Sequence, residues 1–257
     1  MKTLFLAWQH TRPDPAQRPA SRAWFPIGRL DAEPAENLYR FAYTEGARRA
    51  EKEAGFAPLD SFPELGRVYE SAELFPVFRN RLIQPNREDY RDYVERLGLN
   101  AADAEPMEIL AVSGGTRQTD NLEVFPKIRK HRDGSFSCRF FLHGWRHVNA
   151  AAQTRLDTLR PGDALRVSLE LNNPATGAAI QLQTADDYHM LGWAPRYLIL
   201  DMLATLAHAP TELEATVLRL NPPPAPGNQR VLVELSGRFR EDFEPMSGSD
   251  FQPFSAA

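Results

Sequence analysis

Leu165-Arg166-Val167-Ser168-Leu169-Glu170-Leu171-Asn172-Asn173-Pro174-Ala175-Thr176-Gly177-Ala178-Ala179-Ile180-Gln181-Leu182 is the stretch that decides the fold of the second half of the chain. Leu165, Val167, Leu169 and Leu171 alternate with Arg166, Ser168 and Glu170, the period of a strand with one buried face. Residues 172–177 supply turn chemistry, and Ala179-Ile180-Gln181-Leu182 pairs back. The reading is a β-hairpin within an antiparallel β domain.

Working outward, residues 136–142 and 188–193 read as further strands, and 149–159 as a short helix. After Pro195, residues 196–207 read as a helix whose Leu198, Leu200, Met202, Leu203 and Leu206 cover the end of the sheet. Two last strands, around 215–220 and 230–235, flank a loop of four prolines between Asn221 and Asn228. Those prolines favour a stiff, extended lip. In the first half, residues 4–8, 24–30 and 38–43 read as three strands of a small sheet. Helices are expected at 45–54 and at 87–97, where Tyr90, Tyr93, Val94 and Leu97 share a face. Residues 105–135 read as transitional. Within them Ser113-Gly114-Gly115-Thr116-Arg117 lacks the lysine and hydroxyl residue of a phosphate-binding loop and reads as a turn.

At 257 residues the chain is long enough for two domains, and 42% hydrophobic with 25% charged residues is ordinary globular composition. The single Cys138 excludes an intramolecular disulfide and points to a reducing cytoplasm. The apolar run at residues 1–8 is too short for a signal peptide core or a membrane span. Glu241, Asp242, Glu244 and Asp250, with no lysine or arginine after Arg240, account for the whole formal charge of −4. Residues 241–257 are therefore expected to be an acidic, mobile tail. Its carboxylates and Phe243, Phe251 and Phe254 imitate a single strand crudely enough to compete for a nucleic-acid groove or to dock on another protein. Lys127, Arg129, Lys130 and Arg132 crowd the junction between the halves, where they are possible phosphate contacts or a solvated linker.

Gly144-Trp145-Arg146-His147, Pro161-Gly162-Asp163, Asn172-Asn173-Pro174, Ala179-Ile180 and Leu191-Gly192-Trp193-Ala194-Pro195-Arg196, in that order, resemble a HIRAN domain. The resemblance implies a compact β-barrel related to oligonucleotide-binding barrels that reads single-stranded DNA or DNA ends. By the same resemblance, Arg146, His147, Asn173, Thr176, Trp193 and Arg196 occupy the nucleic-acid-binding positions. Such a reader needs stacking faces and cations near phosphates. The family commonly has an acidic residue in the turn where this chain has Thr176, which accepts a hydrogen bond without charge. A free 3′-hydroxyl thereby loses a charged acceptor, and general single-strand or altered-end binding is the expectation. Ile27-Gly28-Arg29-Leu30, Tyr39-Arg40-Phe41-Ala42-Tyr43 and residues 74–82 are similar to the N-terminal subdomain of HipA-type kinases. This second resemblance covers roughly residues 3–100, carries no kinase residues, and implies a docking module for a protein partner.

His143 and His147 on an extended segment are about 13 Å apart, too far to share one metal ion. No His-Glu-x-x-His helix, Gly-x-Ser-x-Gly elbow or convincing Ser-His-Asp set is present. The expectation is a non-catalytic α+β protein without cofactor or metal, cytoplasmic and not membrane-bound. Its parts are a HipA-N-like domain at 1–125, a basic linker at 126–135, a HIRAN-like barrel with a covering helix at 136–240, and the tail. The competing expectation is a protein-interaction adaptor that has lost DNA-end recognition.

Overall fold

The computed structural model describes residues 1–10, 23–117 and 119–254. In chain order the first elements are β1 (Lys2–Gln9), β2 (Trp24–Glu33), β3 (Leu38–Tyr43), α1 (Glu45–Ala54), β4 (Tyr69–Ser71) and α2 (Pro76–Arg79). Next come α3 (Tyr90–Arg96), α4 (Pro106–Ser113), β5 (Leu122–Pro126), β6 (Ser135–Phe141), α5 (Ala150–Leu156), β7 (Ala164–Asn173) and β8 (Gly177–Thr184). The last are β9 (Met190–Trp193), α6 (Ile199–His208), β10 (Glu214–Leu220) and β11 (Val231–Arg238). The fold is α+β, with two antiparallel sheets and flanking helices. None of the described helices is long and apolar enough to cross a membrane.

The chain divides into two compact units. The first comprises residues 1–90, 103–127 and 246–257; the second comprises 91–102 and 128–245. This partition moves the expected boundaries in two places. Residues 91–102 join the second unit because Val94 and Leu97 are fully buried there and a Cβ on Gly98 would come within 2.8 Å of Leu232. The expected acidic tail is divided. Residues 241–245 stay with the second unit, where Phe243 stacks on Phe239 at 5.1 Å. Residues 246–254 are laid onto the first, so the described part of the tail is a docked segment.

The first unit carries the sheet β4-β3-β2-β1-β5. Leu4 and Leu6 of β1 join Ile27, Leu30, Phe41 and Tyr43 in one core, covered by Ala47 and Ala50 of α1. Phe5 points to the opposite face and meets Phe125 of β5. Helix α1 ends at Gly55, whose φ of 68° lets its N–H return to Ala50 and Glu51 carbonyls. The hydroxyl of Tyr43 donates to Phe62 O and accepts from Leu59 N–H, and burial pushes it up to about 12. Arg81, 2% exposed at its side chain, pairs with Asp120 and donates to the carbonyls of Val77 and Gly115. The Gly114-Gly115 segment is accordingly a pinned turn at the end of α4.

The second unit carries the sheet β6-β11-β10-β7-β8-β9. Val217, Val231, Val233, Leu235, Ile180, Leu182 and Leu191 are fully buried, as are Leu156 of α5 and Met202 of α6. Beyond β6, His143 N–H donates to Trp193 O at 2.9 Å and Trp193 N–H returns to His143 O at 3.0 Å. The hairpin register is Leu165↔Thr184 through Asn173↔Gly177. The apolar alternation is there, but only Leu165 of its four residues is buried. Leu169 is 40% exposed and Leu171 67%, whereas Ile180, Leu182 and Thr184 on the same face are buried, so that face is uncovered only on β7 toward the turn.

Candidate nucleic-acid interface

Gly144, with φ 68°, reverses the chain after His143 and starts the short 3-10 turn Trp145–His147. Two contacts hold this turn. The Trp145 indole N–H donates to Gly227 O at 2.6 Å, and Gly144 lies against the Trp193 ring, where a Cβ would come within 2.4 Å. Arg146 and His147 are exposed at its tip. The Arg146 guanidinium leans on Gly227 and sits 5.7 Å from the Trp145 ring centroid. Arg196, half-buried, opens the 3-10 turn Arg196–Leu198, three residues after the end of β9. The bridge between His143 and Trp193 therefore brings Arg146, His147, Trp193 and Arg196 to one end of the sheet.

Asn173 and Thr176 are placed differently from their expected roles. Asn173 Oδ1 accepts from the N–H groups of Ala175 and Thr176, and its amide donates to Glu170 Oε2 at 3.0 Å. Thr176 Oγ1 donates to Ala178 O at 2.6 Å. Both side chains are committed to the turn, as expected of asparagine and threonine at tight reversals.

Glu170 is the residue that sequence reasoning missed. Its Oε2 accepts from the Trp193 indole N–H at 2.5 Å as well as from Asn173. The Trp193 bond, with Asn173 and Gln181 also donating, holds its carboxyl below the usual range against a partial burial that would raise it. The signal was in the register. Glu170↔Ala179 and Gln181↔Trp193, with Ala179 and Gln181 on one face of β8, set Glu170 and Trp193 on a shared face with one strand between them. The Trp193 platform thus has one side against Gly144 and its polar edge on a carboxylate, leaving less free ring than the motif implies.

The basic stretch is corrected more strongly. Lys127 belongs to the first unit and its N–H donates to Thr3 O, whereas Arg129, Lys130 and Arg132 belong to the second, so the four do not form one linker. Lys130 donates to the carbonyls of Arg240, Glu241 and Phe243 at 2.7, 2.6 and 2.8 Å. An ammonium has three donors, and all three are used, so Lys130 is not available to phosphate. Arg129 and Arg132 are exposed beside His131 around an open depression, without an ion pair among the described residues. They lie before β6, whose seven residues span about 23 Å, so they sit at the end of that strand remote from Arg146. Among the described residues no group of three His, Cys, Asp or Glu side chains is placed to hold a metal ion.

Comparison with protein-family models, with curated proteins and with solved structures finds no match for this chain.

Proposed function

We propose that the second unit is a non-catalytic reader of single-stranded nucleic acid, DNA or DNA ends by preference, built on a small barrel. Support for the barrel comes from the paired hydrogen bonds between His143 and Trp193, which link the chain leaving β6 to the far edge strand β9. Full closure of a sheet removes its edges, and this single bridge between the two ends of the strand order is what supports the barrel reading.

The observation that carries the reading is the Trp145–His147 turn, clamped by Gly227 O and the Trp193 ring yet presenting Arg146 and His147 to solvent. Rigid support with free tips is what an unstacked base and its phosphate require. Phosphates run on the Arg146 and Arg196 side, since the Glu170 carboxylate repels them from the Trp193 edge, and bases face His147 and the open side of Trp193. Each stacked base contributes about 1–3 kcal/mol. Asn173 and Thr176 shape the neighbouring turn without touching the strand. With one cysteine in the chain, the reading sets the protein in the cytoplasm.

The test is a titration of single-stranded DNA oligonucleotides with free or blocked 3′ and 5′ ends at two salt concentrations. Arg146→Ala is expected to weaken binding roughly tenfold and to lower the salt slope by about 1. Equal binding by wild type and variant at both salts would overturn the reading. A second reading, a protein-interaction adaptor, is favoured by Leu169 and Leu171, which stand exposed on the hairpin. Absence of binding to every oligonucleotide would select it.

A further inference from the structure

The segment 246–254 lies on the first unit as a peptide ligand lies on a receptor, with a 3-10 turn at Ser249–Phe251 that returns to extended backbone at Gln252. Asp250 makes two parallel contacts with Arg49 of α1, Oδ1 to Nε at 3.1 Å and Oδ2 to Nη2 at 2.5 Å. The Phe251 ring meets Phe5 edge-on at 4.9 Å and Phe125 at 6.4 Å, covering the face of β1 that points away from the main core. Phe254 lies under the Arg48 guanidinium at 4.5 Å.

Backbone bonds set the register. Glu45 N–H donates to Gln252 O at 2.9 Å, Phe254 N–H donates to Tyr43 O at 3.1 Å, and Thr44 bridges Pro253 in antiparallel sense. Gly46 is required first by Pro26 O, 2.1 Å from where a Cβ would stand, and it also leaves room for Asp250 O, 2.9 Å from that point. The segment is nevertheless superficial. Met246 is its one buried side chain; Asp250, Phe251, Pro253 and Phe254 are half-buried, and residues 247–249 and 252 are exposed.

Main-chain pairing for register, side-chain pockets for identity and an arginine fork for a carboxylate are devices by which folded domains take peptides, here with a 3-10 turn carrying Asp250 and Phe251 and a paired stretch following it. We propose that the surface formed by α1, β1 and β5 is a peptide-docking site, filled in cis by Asp250-Phe251-Gln252-Pro253-Phe254, whose partner is a protein presenting an exposed Asp-Phe-x-Pro-Phe segment. Charge complementarity argues for that chemistry: Arg48 and Arg49 flank the site, and each contacts a different anchor of the segment. A tethered occupant competes at an effective concentration of the order of millimolar, so the segment screens the site against weak ligands and yields to a strong or clustered one. The proposal rests on the first unit alone and does not depend on the nucleic-acid reading.

The test keeps the whole chain. A protease site is inserted between Pro245 and Met246, the folded protein is cleaved, and a fluorescent peptide of residues 246–257 is titrated in. The expected result is saturable exchange, weakened at least tenfold by Phe251→Ala in the peptide and by Arg49→Ala in the protein. An unlabelled peptide carrying Asp-Phe-x-Pro-Phe in unrelated flanks is expected to compete. Unfolding on release of the segment would make it a piece of the core and overturn the proposal. So would binding indifferent to Phe251 and Arg49, or failure of the unrelated-flank peptide to compete.

Discussion

The two reversals of the second unit, Gly144–His147 and Asn172–Gly177, both carry polar side chains that the sequence places at binding positions, and they differ in what those side chains have left to offer. In the hairpin turn the polar groups of Asn173 and Thr176 are spent on the turn itself and on Glu170. In the other turn the holding is done by glycine and tryptophan, through Gly144 against Trp193 and Trp145 on Gly227 O. Arg146 and His147 are left to solvent as a result. A turn that uses its polar side chains to fold has none left to offer a ligand, so hydrogen-bond accounting shows which polar side chains of a turn remain available.

The largest expected effect breaks this comparison at its glycines. Gly144→Ala combines left-handed strain, about 1–2 kcal/mol, with a collision against the Trp193 ring, about 1–3 kcal/mol, for an expected loss of ~3 kcal/mol. Gly177→Ala has φ 76° but nothing within 4 Å of the new methyl group, so strain alone applies and ~1 kcal/mol is expected. Denaturant midpoints of the two variants measure the difference. Equal midpoints would mean that Trp193 does not support the 145–147 turn.

A middle-sized effect concerns Glu170, which ties the hairpin to Trp193. Glu170→Gln keeps the shape and removes the charge from the hydrogen bonds accepted from Trp193, Asn173 and Gln181, with an expected loss of about 1 kcal/mol at neutral pH. The pH dependence has a definite sign. The folded carboxyl lies below its ordinary value of 4.5, so its contribution is complete above that value and is lost as pH falls through the folded pKa. The stability gap between wild type and variant should therefore be flat at neutral pH and close under acid, as read by melts from pH 7 to 3. Oligonucleotide affinity should rise a few-fold in the variant, since a like charge beside the phosphates is gone.

Much of the fold was legible because its signals are local. Helix α1 was read to its terminal residues from a polar, alanine-rich run, and the aromatic alternation of residues 38–43 gave β3 outright. Strand β5 was not legible. Its five residues end in proline, and it becomes a strand by pairing with β1, more than a hundred residues away in the chain. Helix α4 hid for a related reason, since Met107-Glu108-Ile109-Leu110-Ala111-Val112 is too uniformly apolar to show a helical period. The segment 246–254 has the composition of a loose end, and its order comes from Arg49, Phe5 and Phe125, none of which is near it in sequence. At the candidate site the side chains were legible and their commitments were not. Nothing about Lys130 in a basic run announces three carbonyls waiting for it.

The smallest expected effect sharpens the comparison most, because it separates shape from contact. Thr176→Val keeps the size of the side chain and removes the bond to Ala178 O, which on an exposed turn costs under ~1 kcal/mol. Oligonucleotide affinity is expected to match wild type, with the salt slope unchanged, because the hydroxyl is turned inward to its own hairpin. If affinity instead falls severalfold while the melting temperature holds, Thr176 reaches the strand, and the hairpin turn joins the binding surface alongside Arg146.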